Sequence, residues 1–224
     1  MGFLKEKFQS LGFFREPSSF EHLSEDELET HMRIDRYGDF KLTDAVRPSY
    51  DLQVIPSQGY RHDVYRDEWS RRSVPVLMAA VTRRKLFEAF MDLLNPLGRT
   101  VNVVLETGHN RNSMGHKDLY REHMDLPVLK SILWDYEELL THDGRTGIAV
   151  FNPATHEELQ FEEHKLFIIY AQSLVRYQEI LNTHQIPCRE RIKFINEAEH
   201  VHFSSDTHET QFGELTIRLG LDDY

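Results

Sequence analysis

Cysteine is nearly absent: the 224 residues hold one, Cys188. An intrachain disulfide is impossible, which excludes a disulfide-stapled secreted scaffold and any Cys-x-x-Cys motif. A lone thiol beside Pro187 reads as an incidental or buried side chain before it reads as a nucleophile. Long apolar runs are also missing, so no membrane span is expected. The opening Met1-Gly2-Phe3-Leu4-Lys5-Glu6 puts charges where a secretory signal needs an apolar stretch, and Glu6 stands where a myristoylation motif needs Ser or Thr. Excess positive charge is lacking too. Lys+Arg 26 against Asp+Glu 37 gives a net charge of −11, which argues against a nucleic-acid coat or a membrane-surface protein. The expectation is a cytoplasmic protein with neither nucleic acid nor membrane as partner.

Catalytic fingerprints are absent as well. There is no G-x-S-x-G, no G-x-x-x-x-G-K-[ST], no G-x-G-x-x-G and no H-E-x-x-H. Adjacent carboxylates such as Glu137-Glu138, Glu157-Glu158 and Glu162-Glu163 diverge on a helix or a strand and read as solvated faces.

What is present is a globular composition, 40% hydrophobic with 11% aromatic residues. Residues 146–224 carry most of the negative charge, 6 basic side chains against 13 acidic ones. Residues 1–73 read as an N-terminal arm with short helices, docked on a single α/β body formed by residues 74–224. In the arm, Ser24 and Glu27 have the spacing of a capping box that starts a short helix over about 25–33.

The body opens on Val74–Val81, an apolar run suited to a central strand buried on both faces. Thr82 can cap a helix carrying Leu86, Phe87, Phe90, Met91 and Leu94, which Pro96 and Gly98 stop. Val101–Leu105 is the next strand, so the segment reads as a βαβ unit with two parallel strands. A polar loop over 108–117 and a short helix come next, and a long helix capped by Asp125 follows, with Trp134 on its core side. Strands over 147–151, 158–161 and 165–170 read as a β-meander, and a helix covers about 172–184. Ile192–Ile195, Val201–Phe203 and Leu215–Leu219 are shorter strand candidates. The expected fold class is α/β or α+β: a mixed β-sheet with at least one βαβ unit, then a meander, with helices packed on the sheet.

Ligands of parallel α/β sheets sit beyond the carboxyl ends of the strands. There the sequence offers Thr82, Arg83 and Arg84 at a helix start, and Gly108 and Asn110 in a polar loop. Three basic residues in a first turn, Arg83, Arg84 and Lys85, oppose the helix dipole, a cost that a bound phosphate or other anion would offset. His109, His116 and His123 recur every seven residues near Glu106, an imidazole and carboxylate set of the kind that binds Zn, Mn or Fe. His200 and His202 alternate, so both face one side of a strand, and His208 follows; this is a second possible ligand cluster.

The missing fingerprints favour a non-enzymatic binding or interaction module with a protein partner or a second copy of the chain. The alternatives are a metal-dependent hydrolase-like enzyme and a binder of small anionic ligands such as phosphates or nucleotides. Nothing in the sequence requires a cofactor.

Overall fold

The computed structural model describes residues 18–66, 73–109 and 117–223. The capping box forms as expected: Ser24 Oγ accepts from the Glu27 amide, the Glu27 carboxylate accepts from the Ser24 amide, and α1 spans Glu25–Met32. Short strands follow, β1 (Arg36–Tyr37), β2 (Phe40–Lys41) and β3 (Val46–Pro48), then β4 (Gly59–Arg66) and β5 (Ser73–Ala80). After α2 (Arg83–Leu93) come β6 (Thr100–Thr107), β7 (Lys117–Asp125), α3 (Leu126–Trp134) and α4 (Glu137–His142). The meander is β8 (Thr146–Phe151), β9 (Glu158–Phe161) and β10 (Leu166–Tyr170), followed by α5 (Val175–Thr183). The chain closes with β11 (His200–His202), α6 (Asp206–Leu219) and β12 (Asp222–Asp223).

The main sheet has eight strands in the order β12-β7-β6-β8-β9-β10-β5-β4. Every neighbouring pair is antiparallel. The fold is therefore α+β, and the expected βαβ unit is not formed: β8, β9 and β10 stand between β5 and β6. The error has a physical source. β5 is buried on both faces, as a parallel strand would be, but by different means. Leu77 and Ala79 face the helical layer, whose core includes Phe87, Phe90, Leu129, Tyr177 and Leu215. Val76, Met78 and Ala80 face a second core in which Phe40, Leu42, Val46, Phe194 and Ile195 replace a helix layer. Irregular chain on one face gives the same unbroken hydrophobic run as two layers of helices.

Four smaller expectations also change. The segment after Lys117 is the strand β7, not a helix. The long helix breaks at Asp135-Tyr136 into α3 and α4, and Trp134 is 54% exposed against the edge of Phe87 rather than in the core. Leu215–Leu219 lies in α6, capped by Ser205 and ended by Gly220 in the left-handed conformation. Ile192–Phe194 is not a strand; it leads into a 3-10 turn at Ile195–Glu197.

Registers place one set of segments at a single end of the sheet. Thr107 pairs with Thr146 and with Lys117, and Leu166 with Ala80. That end therefore carries Thr82, the 162–165 turn, the 143–145 segment and His109. The ribbon of β11 and β3 docks against it.

Candidate metal centre

Docking of the ribbon depends on a close backbone approach. The Gly144 amide donates to the Phe203 carbonyl at 2.7 Å, and the Phe203 amide to the Ala45 carbonyl at 2.8 Å. A Cβ on Gly144 would lie 2.2 Å from the Ala45 oxygen, so only glycine fits. This seam holds His202, whose Nδ1 donates to the Gly144 carbonyl at 2.6 Å. His200, two residues earlier on the same face of β11, gives its Nδ1 proton to the Ala198 carbonyl at 2.7 Å.

The third histidine comes from the main sheet. The turn from β9 to β10 is closed by Lys165 N–H to the Glu162 carbonyl at 2.9 Å, with Lys165 left-handed at φ 63. It carries His164 toward the ribbon, where its Nδ1 donates to Glu162 Oε2 at 2.8 Å. The three rings meet with centroids 4.6, 4.6 and 5.0 Å apart. One ligand atom from each lies within 4.8 Å of the other two.

The tautomers follow from the partners. Two backbone carbonyls and a carboxylate can only accept, so each Nδ1 carries a proton. Each Nε2 then presents a lone pair to the same small volume, with His164 Nε2 2.9 Å from His200 Nε2. A second donor nitrogen anchored to a carbonyl or carboxylate is the arrangement that orients metal-binding imidazoles. Burial, and then the His164 charge, lower His200 and hold His202 down to about 4. Both shifts favour the neutral imidazole, the form that ligates. Burial also opposes a charge on His164, but Glu162 and Glu163 outweigh it and move it upward. A cavity of about 30 Å³, room for a water molecule, is lined in part by Thr43, Val46, His164, Lys165, Lys193 and Phe194.

A buried polar network lies at the same end of the sheet. Asp143, fully buried, accepts from His109 Nε2 at 2.7 Å and from Thr146 Oγ1 at 2.5 Å. Burial pushes its carboxyl up, but hydrogen bonds led by that from His109 outweigh this and hold it at about 2. Its other oxygen, Oδ1, has no hydrogen-bond partner among the described residues, nor has His208 Nδ1, 3.8 Å away. Lys165 is buried, with its amine donating to the Thr146 carbonyl at 2.9 Å. Burial pulls it down to about 8 against the attraction of Asp143, Glu162 and Glu163.

The residues singled out from sequence scatter relative to this centre. Thr82 is buried at the start of α2 and its hydroxyl accepts from the Lys41 amide, while Arg83 reaches Asp44 at 3.5 Å and Arg84 follows on the same turn. Gly108, whose amide donates to the Arg145 carbonyl, stands on the far side of three strands from them. Asn110 and His116 lie outside the described residues. Glu106 sits near the site end of β6, with its carboxylate against Gly147. His109 is bound to Asp143, and His123 is exposed near the opposite end of β7, so the pair does not converge. His200 and His202 do share a face as their alternation predicts, and His208 is in the neighbouring network. His164 was not singled out, because only the docking of the ribbon against the turn brings it to them.

Comparison with family models, with curated proteins and with solved structures found no match for this chain.

Proposed function

We propose that the chain is a metalloprotein that binds one divalent first-row ion, such as Zn²⁺, through Nε2 of His164, His200 and His202. The observation that carries this reading is the convergence of three imidazoles whose Nδ1 protons are all committed elsewhere. A proton shared between His164 and His200 satisfies two of the three lone pairs, whereas a metal ion satisfies all three. Imidazole nitrogens suit Zn, Fe, Ni and Cu.

Three protein ligands leave a coordination position for water or substrate, the pattern of catalytic rather than structural zinc. The reaction class this supports is attack by a metal-activated water, hence a metal-dependent hydrolase. The carboxylate of Glu162 behind His164 would raise the ligand's basicity. The test is metal analysis of protein purified without chelator, with Zn²⁺ titration by calorimetry and a panel of chromogenic esters and phosphoesters. Loss of one equivalent of bound metal, relative to the parent chain, in His164→Ala and in His200→Ala supports the reading. Zinc binding unchanged in both variants overturns it. Metal binding without turnover would keep the centre and remove the hydrolase.

A further inference from the structure

A second set of ligand atoms lies on β4, at the free edge of the main sheet. The segment after Pro187 runs alongside this strand: Tyr60 N–H donates to the Pro187 carbonyl at 3.0 Å, and Arg189 N–H to the Tyr60 carbonyl at 2.7 Å. Tyr60 and Cys188 form a parallel bridge. His62, two residues beyond Tyr60, and Glu190, two beyond Cys188, therefore come to the same side.

Their side chains converge on one point. Glu190 Oε1 accepts from His62 Nδ1 at 2.5 Å and from the Cys188 thiol at 3.1 Å. Its other oxygen is anchored by the His62 backbone amide at 3.2 Å. An imidazole nitrogen, the sulfur and a carboxylate oxygen all lie within 4.8 Å of one another. Two protons, one on sulfur and one on nitrogen, are thus aimed at a single carboxylate oxygen. A divalent ion can take the place of both. Thiolate and carboxylate then balance its charge, and the neutral imidazole completes an N, S, O set typical of zinc. The far nitrogen of His62 already has a partner in the Gln178 amide at 2.8 Å. That amide can turn its oxygen toward the ring once the proton moves to Nε2.

We propose that His62, Cys188 and Glu190 form a second, solvent-open site for a thiophilic divalent ion such as Zn²⁺, with water completing the shell. This inference does not rest on the three-histidine centre. All three residues are exposed, so the ion enters without any rearrangement of the core.

The experiment is a Co²⁺ titration of the full chain, kept reduced with a non-thiol reductant and followed by absorbance. Only a cysteine ligand gives the near-ultraviolet thiolate-to-cobalt charge-transfer band, and this chain has one cysteine. The band is expected to saturate at one equivalent in His200→Ala, where the three-histidine centre no longer competes, to vanish in Cys188→Ser and to need at least ~10-fold more Co²⁺ in Glu190→Gln. It should persist in His200→Ala, which separates this site from the other. Zn²⁺ should bleach it and protect Cys188 from alkylation. Absence of the band in excess Co²⁺ overturns the proposal. So does a band that survives unchanged in both His62→Ala and Glu190→Gln, because a bare thiol would then account for it.

Discussion

His164 Nε2 faces His200 Nε2 across 2.9 Å, although one ring stands on a turn of the main sheet and the other on a separate ribbon. Two lone pairs at that distance repel unless a cation lies between them. The contact therefore couples the docking of the ribbon to whatever positive charge the site holds.

Zinc should raise the melting temperature of the chain. An ion present at 100 times its dissociation constant and bound only by the native state adds about 2.7 kcal/mol, equivalent to about 5–11 °C for a chain of this size. Differential scanning calorimetry with and without Zn²⁺ measures this. In His200→Ala plus His202→Ala the increment from the three-histidine centre should disappear.

Glu162→Gln keeps the shape of the side chain but removes the carboxylate behind His164. Zinc affinity at the centre should fall by about 10–100-fold, with little change in the far-ultraviolet circular dichroism. Competition against a chromophoric chelator reads the affinity, and an unchanged constant would remove Glu162 from the centre.

Gly144→Ala should be among the most damaging small substitutions. Its methyl group would meet the Ala45 carbonyl at 2.2 Å, a backbone atom that cannot turn aside. Overpacking of this kind costs about 1–3 kcal/mol. It would also push β11 away, so urea denaturation should show lower stability and zinc titration weaker binding together.

Asp143 should give the chain an acid-sensitive stability. Its carboxyl is held at about 2 in the fold, below the ordinary value of 3.8. The folded state therefore binds its proton later than the unfolded chain does. The contribution, about 2 kcal/mol, is fully present above pH ~4 and is lost as the pH falls toward 2. Asp143→Asn should flatten the stability curve over that window, and it should be less stable than the parent at pH 7. Urea titrations between pH 2 and 6 test both statements.

Elements with strong local signals were legible in the sequence. The capping box at Ser24, the alternation at His200 and His202, and the meander over β8 to β10 follow from spacing alone. The sheet order did not, because β5 is covered by irregular chain where the pattern implied helices. Leu215–Leu219 looked like a strand because a short apolar window has no period of its own; Ser205 and Gly220, the two caps, marked the helix. His164 lay hidden for a different reason. A turn residue has no periodicity to betray its partners, and His200 and His202 are 36 and 38 positions further along the chain. Its role exists only once Gly144 lets two backbones touch.

The open edge at β4 has one more consequence, for self-association. An unpaired strand invites a second copy to add its own strand. Here the 187–189 segment occupies the backbone groups around Tyr60, and the remainder presents Asp63 and Arg66 among exposed positions. The opposite edge, β12, is only two residues long. Charge at one border and brevity at the other leave little template for the growth of a continuous intermolecular sheet.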